Sequence, residues 1–447
     1  MPGSGECSGG TVYATAVGAS LPGFTVDIDH NPYLPAGGRL VSAVVTVTAD
    51  VTDDAQPTET GNSAEIIIVD RSGSMAGDKI VAARSATAAA VNVTRDGTWF
   101  AVIAGTGKAR PVYPPDGTMA VASERTREEA RQAVLKLEAG GGTRMSKWLS
   151  LAHQIFHSCP ATLRHAILLT DGRNGDLWNG LDKAIAQCEG LFRCDCRGVG
   201  TDWQVSELRK ISTALLGTVD IVPDPAGLAA DFEQMMRGAM SKQVPDVLLR
   251  VWTPQQAAVQ FVKQVAPAID DLTGRRVQSG AQAADYPTGS WAPGESRDYH
   301  VGIQVNASDV GQEMLAARVS LVASSPGGHQ VLGQGLVRAT WTEDEALSTR
   351  INPQVAHYTG QAELAEAIQE GLEASKRGDE ETATARLGRA VALAHQAGNE
   401  DTARLLSKVV DVVDEATGTV RLKKKVAAAD EMALDTSSTK TVRVKKQ

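Results

Sequence analysis

The pattern of apolar and polar positions changes twice along the chain. Short runs with strand-like alternation come first, from Phe24 to Ile28 and from Arg39 to Val51. Between Glu65 and Met240, unbroken β-branched runs alternate with Ala- and Leu-rich helical patterns, which is typical of a mostly parallel sheet covered by helices. From Val247 to Trp341 the strand-like runs return, separated by Pro-Gly turns. The pattern therefore predicts a doubly wound α/β unit that interrupts a β-rich region.

The two β-rich stretches are predicted to form one domain. Two or three strands by themselves cannot bury a core, so the N-terminal strands need partners from elsewhere in the chain. The later strands read as an antiparallel sandwich, and they follow the same α/β unit that the first strands precede. We therefore predict a β-sandwich made of residues 10–58 and 244–345, with an α/β domain inserted at residues 60–242.

The C-terminal part of the chain changes character again. Residues 354–415 are predicted to form a helical bundle, in which Gly378-Asp379 and Gly398-Asn399 stop one helix and cap the next. Residues 416–447 carry lysine clusters and no apolar periodicity, so they are predicted to be a disordered basic tail. Residues 1–9 are predicted to be disordered as well.

Candidate chemistry lies at the end of one strand in the α/β unit. The apolar run from Ala64 to Val69 has the composition of a strand buried on both faces, and it runs directly into Asp70, Ser72 and Ser74. Open α/β sheets bind their ligands at the carboxyl ends of their strands. Oxygen ligands without a thiolate suit Mg²⁺, Mn²⁺ or Ca²⁺ better than zinc.

Two later stretches strengthen this interpretation. Gly140-Gly141-Gly142-Thr143 places a hydroxyl on a glycine-rich loop, and a second apolar run from Ala166 ends in Thr170-Asp171-Gly172. Together with Asp70-x-Ser72-x-Ser74, these pieces resemble the metal-ion-dependent adhesion site of the von Willebrand factor A (VWA) family. The continuation Ser-Met-x-Gly-x-Lys, from Ser74 to Lys79, resembles bacterial members in particular. The resemblance covers residues 62–240.

The resemblance implies a Rossmann-like fold and a complete metal site. By it, five residues hold Mg²⁺, or alternatively Mn²⁺ or Ca²⁺: Asp70, Ser72, Ser74, Thr143 and Asp171. A site with few charged direct ligands leaves the cation electrophilic, so that an Asp or Glu of a protein partner can complete its coordination. The leading hypothesis is therefore a non-enzymatic interaction module in a cytosolic signalling or assembly complex. The alternative is an accessory subunit of an AAA+ (MoxR-like) ATPase or chelatase-type system, as some bacterial A-domain proteins are.

Three arginines flank the metal residues in the sequence. Arg71 follows Asp70, Arg144 follows Thr143, and Arg173 is two residues after Asp171. They are expected to lie on one rim, where they would favour an acidic partner surface. The alternative is that all three are simply solvated.

Composition narrows the function classes. Of the 447 residues 42% are hydrophobic and only 4% aromatic, and the net charge of −9 argues against a nucleic-acid binder. No apolar run is long enough for a membrane span, and the N-terminus lacks a signal-peptide pattern. The odd count of five cysteines agrees with a reducing compartment, so a cytoplasmic location is expected. Cys188, Cys194 and Cys196 cluster but form no Cys-x-x-Cys pair, which favours core thiols over a zinc site.

Enzymatic motifs are incomplete, so the chain is predicted not to be an enzyme. Gly105-Thr106-Gly107-Lys108 hints at a phosphate loop, but Val102 replaces its first glycine and Ala109 its Ser or Thr. His153 and His157 have the spacing of zinc ligands, yet Gln154 stands where a zinc hydrolase needs Glu.

The C-terminal tail suggests a regulatory site. Thr436, Thr439 and Thr441 lie among basic residues, a context that a Ser/Thr kinase prefers. We hypothesise that phosphorylation there creates a docking peptide for a forkhead-associated domain. The alternative is an ordinary solvated basic tail.

Overall fold

The computed structural model describes residues 23–51, 62–325, 328–441 and residue 443. The predicted disorder of residues 1–9 lies outside this range, as do residues 10–22 and 52–58 of the predicted N-terminal strands. Among the described residues, no helix combines the length and the apolar character needed to cross a membrane.

The described part of the chain begins with three strands, which by themselves form too small a sheet to bury a core. Strands β1 and β3 pair antiparallel, whereas β2 lies apart from them. Valine and alanine side chains of β3 are fully buried, as its alternating sequence predicts. The bounds are β1 (Phe24–His30), β2 (Tyr33–Pro35) and β3 (Leu40–Ala49).

The inserted unit alternates strands and helices around a seven-stranded sheet. Its strands are β4 (Ser63–Asp70), β5 (Trp99–Gly105), β6 (Ala109–Tyr113), β7 (Ala120–Val121), β8 (Leu163–Thr170), β9 (Arg193–Val199) and β10 (Val219–Val222). Its helices are α1 (Asp78–Val93), α2 (Glu124–Val134), α3 (Met145–His157), α4 (Gly180–Cys188), α5 (Val205–Ala214) and α6 (Leu228–Met240). The order β10-β9-β8-β4-β5 is parallel throughout, and β6 and β7 both pair antiparallel with β5.

Strand β4 occupies the centre of this sheet and supplies both hydrophobic cores. Ile66 and Ile68 face one core, while Ile67 and Val69 face the other. Burial on both faces explains why the sequence of β4 is continuously apolar. The chain continues from β4 to β5 on one side and later returns to β8 on the other, which makes the carboxyl end of β4 a topological switch point.

Two further sheets form the β-sandwich around a common core. Besides β1, β2 and β3, the strands of the sandwich are β11 (Val244–Trp252), β12 (Ala257–Ala266), β13 (Asp270–Asp271), β14 (Val277–Gly280), β15 (Ala283–Trp291), β16 (Ser296–Val305), β17 (Glu313–Ser325) and β18 (Gly328–Thr342). One sheet has the order β1-β3-β16-β12-β13, and the other has the order β14-β15-β11-β17-β18-β2. The first strands of the chain thus pair with strands that follow the α/β unit. The predicted fold class, a mostly parallel α/β sheet inserted in a sandwich and followed by helices, is confirmed.

Two of the helices after the sandwich, α9 and α10 as bounded below, begin at the capping residues that the sequence predicts. After the short α7 (Glu345–Ser348) come α8 (Pro353–Lys376), α9 (Glu380–Gln396) and α10 (Glu400–Val409). The Asp379 side chain accepts a hydrogen bond from the amide of Thr382, and that of Asn399 accepts one from Thr402.

The prediction that helix continues to residue 415 is wrong. Strand β19 (Val410–Asp414) follows α10 directly and forms a hairpin with β20 (Thr419–Leu422). The β-branched run Val409-Val410-Asp411-Val412-Val413 favours a strand over a helix. The hairpin lies on α9 because two glycines, Gly388 and Gly418, let the backbones approach closely.

The prediction of a disordered tail is also wrong for the described residues after 416. Helix α11 (Ala428–Ser437) places Leu434 in the core of the helical region, while Met432 and Ala433 pack against a core of the α/β unit. The chain then reaches the sandwich, where Thr439 accepts a hydrogen bond from the Ile269 amide. This C-terminal segment, residues 428–441 and 443, therefore contacts all three parts of the fold.

Burial also changes the status of the predicted phosphorylation sites. Thr436 is 1% exposed, and its hydroxyl is bonded within α11 to the carbonyl of Met432. The Thr441 hydroxyl donates to the carbonyl of Val265 in β12. A kinase would reach these hydroxyls only after the segment has left its binding surfaces.

Candidate metal centre

Three loops at the carboxyl edge of the parallel sheet bring the predicted site residues together. Asp70 ends β4, Asp171 follows β8, and Thr143 precedes α3. Backbone hydrogen bonds fix the loops to one another: the Gly73 amide donates to Gly141 at 2.8 Å, and the Gly175 amide donates to Thr143 at 2.7 Å. We call Asp70, Ser72, Ser74, Thr143 and Asp171 the metal centre.

Asp70 is a fully buried carboxylate of the metal centre. It has no exposed surface, and its oxygens accept hydrogen bonds from the Ser72 amide at 2.7 Å and the Thr170 hydroxyl at 2.5 Å. Burial raises the pKa of Asp70, and these hydrogen bonds only partly offset the effect. Among the described residues, Asp70 forms no salt bridge. The carboxylate is thus desolvated without a cationic partner, which is costly unless a cation binds.

The two serines and Asp171 form a chain of hydrogen bonds beside Asp70. The Ser72 and Ser74 hydroxyls lie 3.0 Å apart, and Ser74 donates to Asp171 Oδ1 at 2.7 Å. The other oxygen of Asp171 accepts from Lys79 Nζ at 2.6 Å, and the same ammonium lies 3.1 Å from Asp202. Lys79 therefore balances the negative charge of Asp171, and the charge of Asp70 stays without a cationic partner among the described residues.

Gly172 marks the point on which the oxygens of the metal centre converge. A Cβ atom built on Gly172 would lie 3.0 Å from Thr143 Oγ1, 3.2 Å from Ser74 Oγ and 3.7 Å from Asp70 Oδ2. Three oxygens from two loops therefore surround one small space beside Gly172 of the third loop, which the absence of a side chain leaves open. Neutral hydroxyls and carboxylates around such a space are the ligands that hard divalent cations prefer.

Sequence reasoning missed the residues that hold the metal centre in shape. Thr170, the last residue of β8, bonds Asp70, and Lys79 in α1 bonds Asp171. Two features of the sequence could have pointed to these supporting residues. Thr170 stands beside Asp171 at the end of an apolar run, and Lys79 is the lysine of the Ser-Met-x-Gly-x-Lys motif. The partners themselves are about a hundred positions apart, so only the sheet register brings them together.

The N-terminus of α3 is capped from a distant loop. Arg144 precedes the helix and provides no side-chain cap. Instead Asn174 accepts a hydrogen bond from the Met145 amide, and Asp176 accepts bonds from both the amide and the hydroxyl of Ser146. The loop after Asp171 is thereby fixed to the helix that follows Thr143.

The three rim arginines are not equivalent. Arg144 and Arg173 are exposed, whereas Arg71 is half-buried and donates a hydrogen bond to the carbonyl of Glu138 at 2.8 Å. Burial, together with the nearby charge of Arg110, lowers the pKa of Arg71. Arg71 therefore helps to hold the loop before Gly140, and Arg144 and Arg173 are the ones that face solvent.

The cysteines behave as core residues. Cys188, Cys194 and Cys196 are fully buried in one core of the α/β unit. Burial raises the pKa of the Cys188 thiol to about 12, which opposes the thiolate form that zinc binds. Within residues 23–51, 62–325, 328–441 and 443, no three His, Cys, Asp or Glu side chains form a metal-binding group.

Comparison with known proteins agrees with the fold. Residues 64–221 match the sequence model of the von Willebrand factor type A domain, and residues 392–438 match that of the von Willebrand factor type A C-terminal domain. The second match covers the end of α9 together with α10, the β19–β20 hairpin and α11. A search of the curated proteins gave no match.

Two solved structures cover nearly the whole chain. One, described as a von Willebrand factor type A protein from Catenulispora acidiphila, is 49% identical over 97% of this chain and 100% of its own, with a TM-score of 0.90. The other, the ArnB paralog VWA2 from Sulfolobus acidocaldarius, is 14% identical over 93% of this chain and 98% of its own, with a TM-score of 0.54, and shows the fold alone.

The fold and the sequence define a class of proteins that are typically protein-interaction modules, generally without enzymatic activity, and that commonly bind a divalent metal. This chain belongs to the von Willebrand factor type A family.

Proposed function

We propose that this chain binds a partner protein through a divalent cation at the metal centre, and that the partner contributes an Asp or Glu carboxylate. The observation that carries the proposal is the convergence of Asp70, Ser74 and Thr143 oxygens beside Gly172. Mg²⁺ is the expected ion, with Mn²⁺ or Ca²⁺ as alternatives, because all the ligands are hard oxygens.

The charge distribution supports binding of a cation. Asp70 and Asp171 are both fully buried, but only Asp171 has a lysine partner. A bound cation would balance the charge of Asp70 and offer an open coordination position to an anionic oxygen. Thr170 and the Ser72 amide hold the Asp70 carboxylate in place, and Lys79 holds Asp171.

Replacing both Ser74 and Thr143 with alanine is expected to weaken Mn²⁺ or Mg²⁺ binding by more than about tenfold. Even the mutation of a residue that only hydrogen-bonds a metal ligand typically lowers metal affinity by about 10- to 100-fold. Both residues retain access to solvent, so the fold should tolerate the loss, whereas Asp70 and Ser72 are buried. Calorimetric titration with each metal gives the affinity. Asp309→Asn, which changes an exposed carboxylate on the sandwich, is the matched control. Unchanged metal affinity in the double variant would contradict the proposed metal centre.

Reversing Arg144 and Arg173 to glutamate is expected to slow the association of acidic peptides with the chain. Exposed charges act mainly on the association rate and on its salt dependence. Stopped-flow measurements with a fluorescent Gly-Ser peptide that contains one aspartate, at low and high salt, test this expectation. Arg39→Glu, on the sandwich, is the control. An on-rate that the reversal leaves unaltered at low salt would favour solvated arginines without a role in binding.

The alternative, an accessory subunit of an AAA+ ATPase, stays a prediction. Pull-downs in Mg²⁺ and in EDTA distinguish the two hypotheses, because an ATPase among the metal-dependent partners would favour the alternative.

A further inference from the structure

An exposed apolar pair lies on the loop that follows the metal centre. Trp178 is 90% exposed and its neighbour Leu177 is 67% exposed, although most other large apolar side chains of the α/β unit are buried. Tryptophan is the side chain that contributes most often to binding energy at protein interfaces. A tryptophan left in solvent on a chain with so few aromatic residues therefore calls for a functional explanation.

The backbone presents this pair in an unfavourable conformation. Trp178 and Asn179 have φ angles of 53° and 52°, in the left-handed region that bulky side chains rarely adopt. Such residues persist only where the surrounding structure determines them, and they cluster at binding sites. Here the surroundings are Asp176, which is bonded to Ser146 on α3, and helix α4, which starts at Gly180.

A backbone hydrogen bond of the same loop places Leu177 and Trp178 near the metal centre. The Gly175 amide donates to the carbonyl of Thr143, a residue of the metal centre. Trp178 is three positions after Gly175, so chain length limits the distance between their Cα atoms to about 11 Å. An extended peptide covers that distance in three or four residues.

The charge around the pair indicates which partner chemistry would fit. Arg144, Lys147 and Arg173 are exposed, and none of them forms a salt bridge with another described residue. The nearby carboxylates of Asp176 and Glu207 accept hydrogen bonds from neutral groups and keep their charge, but the three cations outnumber them. The surface beside Trp178 is therefore cationic and complements an acidic segment.

We propose that Leu177 and Trp178 are a second contact point for the partner. They would receive an apolar side chain that lies within about four residues of the metal-bound Asp or Glu in an extended acidic segment. This inference rests on the proposed function, because the carboxylate at the metal centre fixes where the segment starts. It adds a specificity determinant, since the metal centre alone accepts any accessible carboxylate.

A panel of labelled peptides tests this inference on the full chain. Each peptide has one aspartate in a Gly-Ser background. Each test peptide also has a single leucine or phenylalanine, and across the panel this residue occupies every position from four before to four after the aspartate. The reference peptide has the aspartate alone. Fluorescence anisotropy in Mg²⁺ and in EDTA gives affinities for the wild type, for Trp178→Ser and for Ile351→Ser. The last is a matched control because Ile351 is 74% exposed and lies between the sandwich and α8.

We expect at least one apolar position to improve Mg²⁺-dependent binding over the reference peptide by roughly tenfold or more, as for a tryptophan contact. Trp178→Ser should abolish that gain and leave reference binding unchanged, whereas Ile351→Ser should alter neither. If no apolar position improves binding, or if Trp178→Ser keeps the improvement, the inference is wrong while the proposed function stands. If no peptide of the panel, the reference included, binds in a metal-dependent manner, the proposed function is contradicted as well. Sedimentation that shows a dimer dissociated by Trp178→Ser would identify a second copy of the chain as the occupant and would also overturn the inference.

Discussion

Replacing His165 with leucine is expected to lower the free energy of unfolding by roughly 3–5 kcal/mol, the cost of removing one member of a buried ionic group. His165 lies in β8, where Nδ1 is 2.7 Å from Glu65 Oε2 and Nε2 is 2.9 Å from Asp195 Oδ2. Glu65 and Asp195 come from the strands on either side, β4 and β9. Without the imidazolium, two carboxylates would face each other in the interior of the sheet.

The same group makes stability depend on pH. Burial alone would lower the pKa of His165, but the charges of Glu65 and Asp195 and their hydrogen bonds raise it to about 9. Because the folded pKa lies above the unfolded value of 6.5, the contribution is fully present below pH 6.5. It is lost as pH rises through about 9, and it amounts to roughly 3 kcal/mol.

Denaturant unfolding and an NMR titration check both expectations. The free energy of unfolding should fall between pH 6.5 and 9 in the wild type, and His157→Leu, an exposed histidine, should unfold like the wild type. Adding Glu65→Gln to His165→Leu should recover part of the loss, because one buried charge is then removed. An NMR pKa for His165 at or below 6.5 would contradict the assignment of a charged histidine.

The metal centre could be predicted because its residues stand next to strong local signals. Asp70 directly follows an unbroken apolar run, Asp171 follows a second one after Thr170, and Thr143 follows three glycines. Parallel strands end at the same edge, so a correct assignment of strand direction is enough to bring the carboxylates together. Assigning the sandwich needed one more step, the argument that a few strands alone cannot bury a core.

The histidine group could not be predicted by the same reasoning. His165 stands between Arg164 and an apolar run, and nothing in this local sequence indicates that the imidazole is charged by two carboxylates. It meets Glu65 and Asp195 only because the register pairs it with Glu65 on β4 and Arg193 on β9. The periodicity of a strand predicts to which face of the sheet each side chain points. It does not predict which residue of the neighbouring strand lies opposite.

The C-terminal segment was misjudged for a related reason. Its composition is polar, and among its described residues Leu434 is the one large apolar side chain that is fully buried. The segment is held instead by polar contacts to distant residues. Asp435 pairs with Arg209 at 2.8 Å, and Arg443 pairs with Asp298, which is 4% exposed. Composition measures the capacity for a hydrophobic core and does not detect such pairs.

Asp298 shows how these polar contacts join the parts of the fold. It lies in β16 of the sandwich and accepts hydrogen bonds from Tyr358 of α8 and from Arg443. Burial would raise the pKa of Asp298, but these hydrogen bonds and the charge of Arg443 lower it. The contribution of Asp298 is therefore present above pH 3.8 and lost as pH falls through the lower folded value.

Replacing Thr436 with glutamate is expected to release the C-terminal segment from the α/β unit. Thr436 is 1% exposed, and its hydroxyl lies 3.4 Å from Asp220 of β10. A glutamate there would place a buried carboxylate beside Asp220, which is 29% exposed and already pairs with Lys440. The cost is roughly 3–5 kcal/mol, and α11 avoids it by leaving its site. Hydrogen exchange should then accelerate in α11 and in the β12 strand that Thr441 contacts, and the melting temperature should fall.

Two further variants test whether the buried Thr436 holds the C-terminal segment in place. Thr436→Ser keeps the hydroxyl and the small size, so it should exchange like the wild type, and a variant ending at residue 427 should reproduce the effect of Thr436→Glu on β12. A phosphate on Thr436 carries more charge than a glutamate and would act in the same direction. Phosphorylation could thus trap the segment in a released form, but it could not occur on the docked one. If Thr436→Glu exchanges as slowly as the wild type throughout α11, the buried threonine does not hold the segment in place.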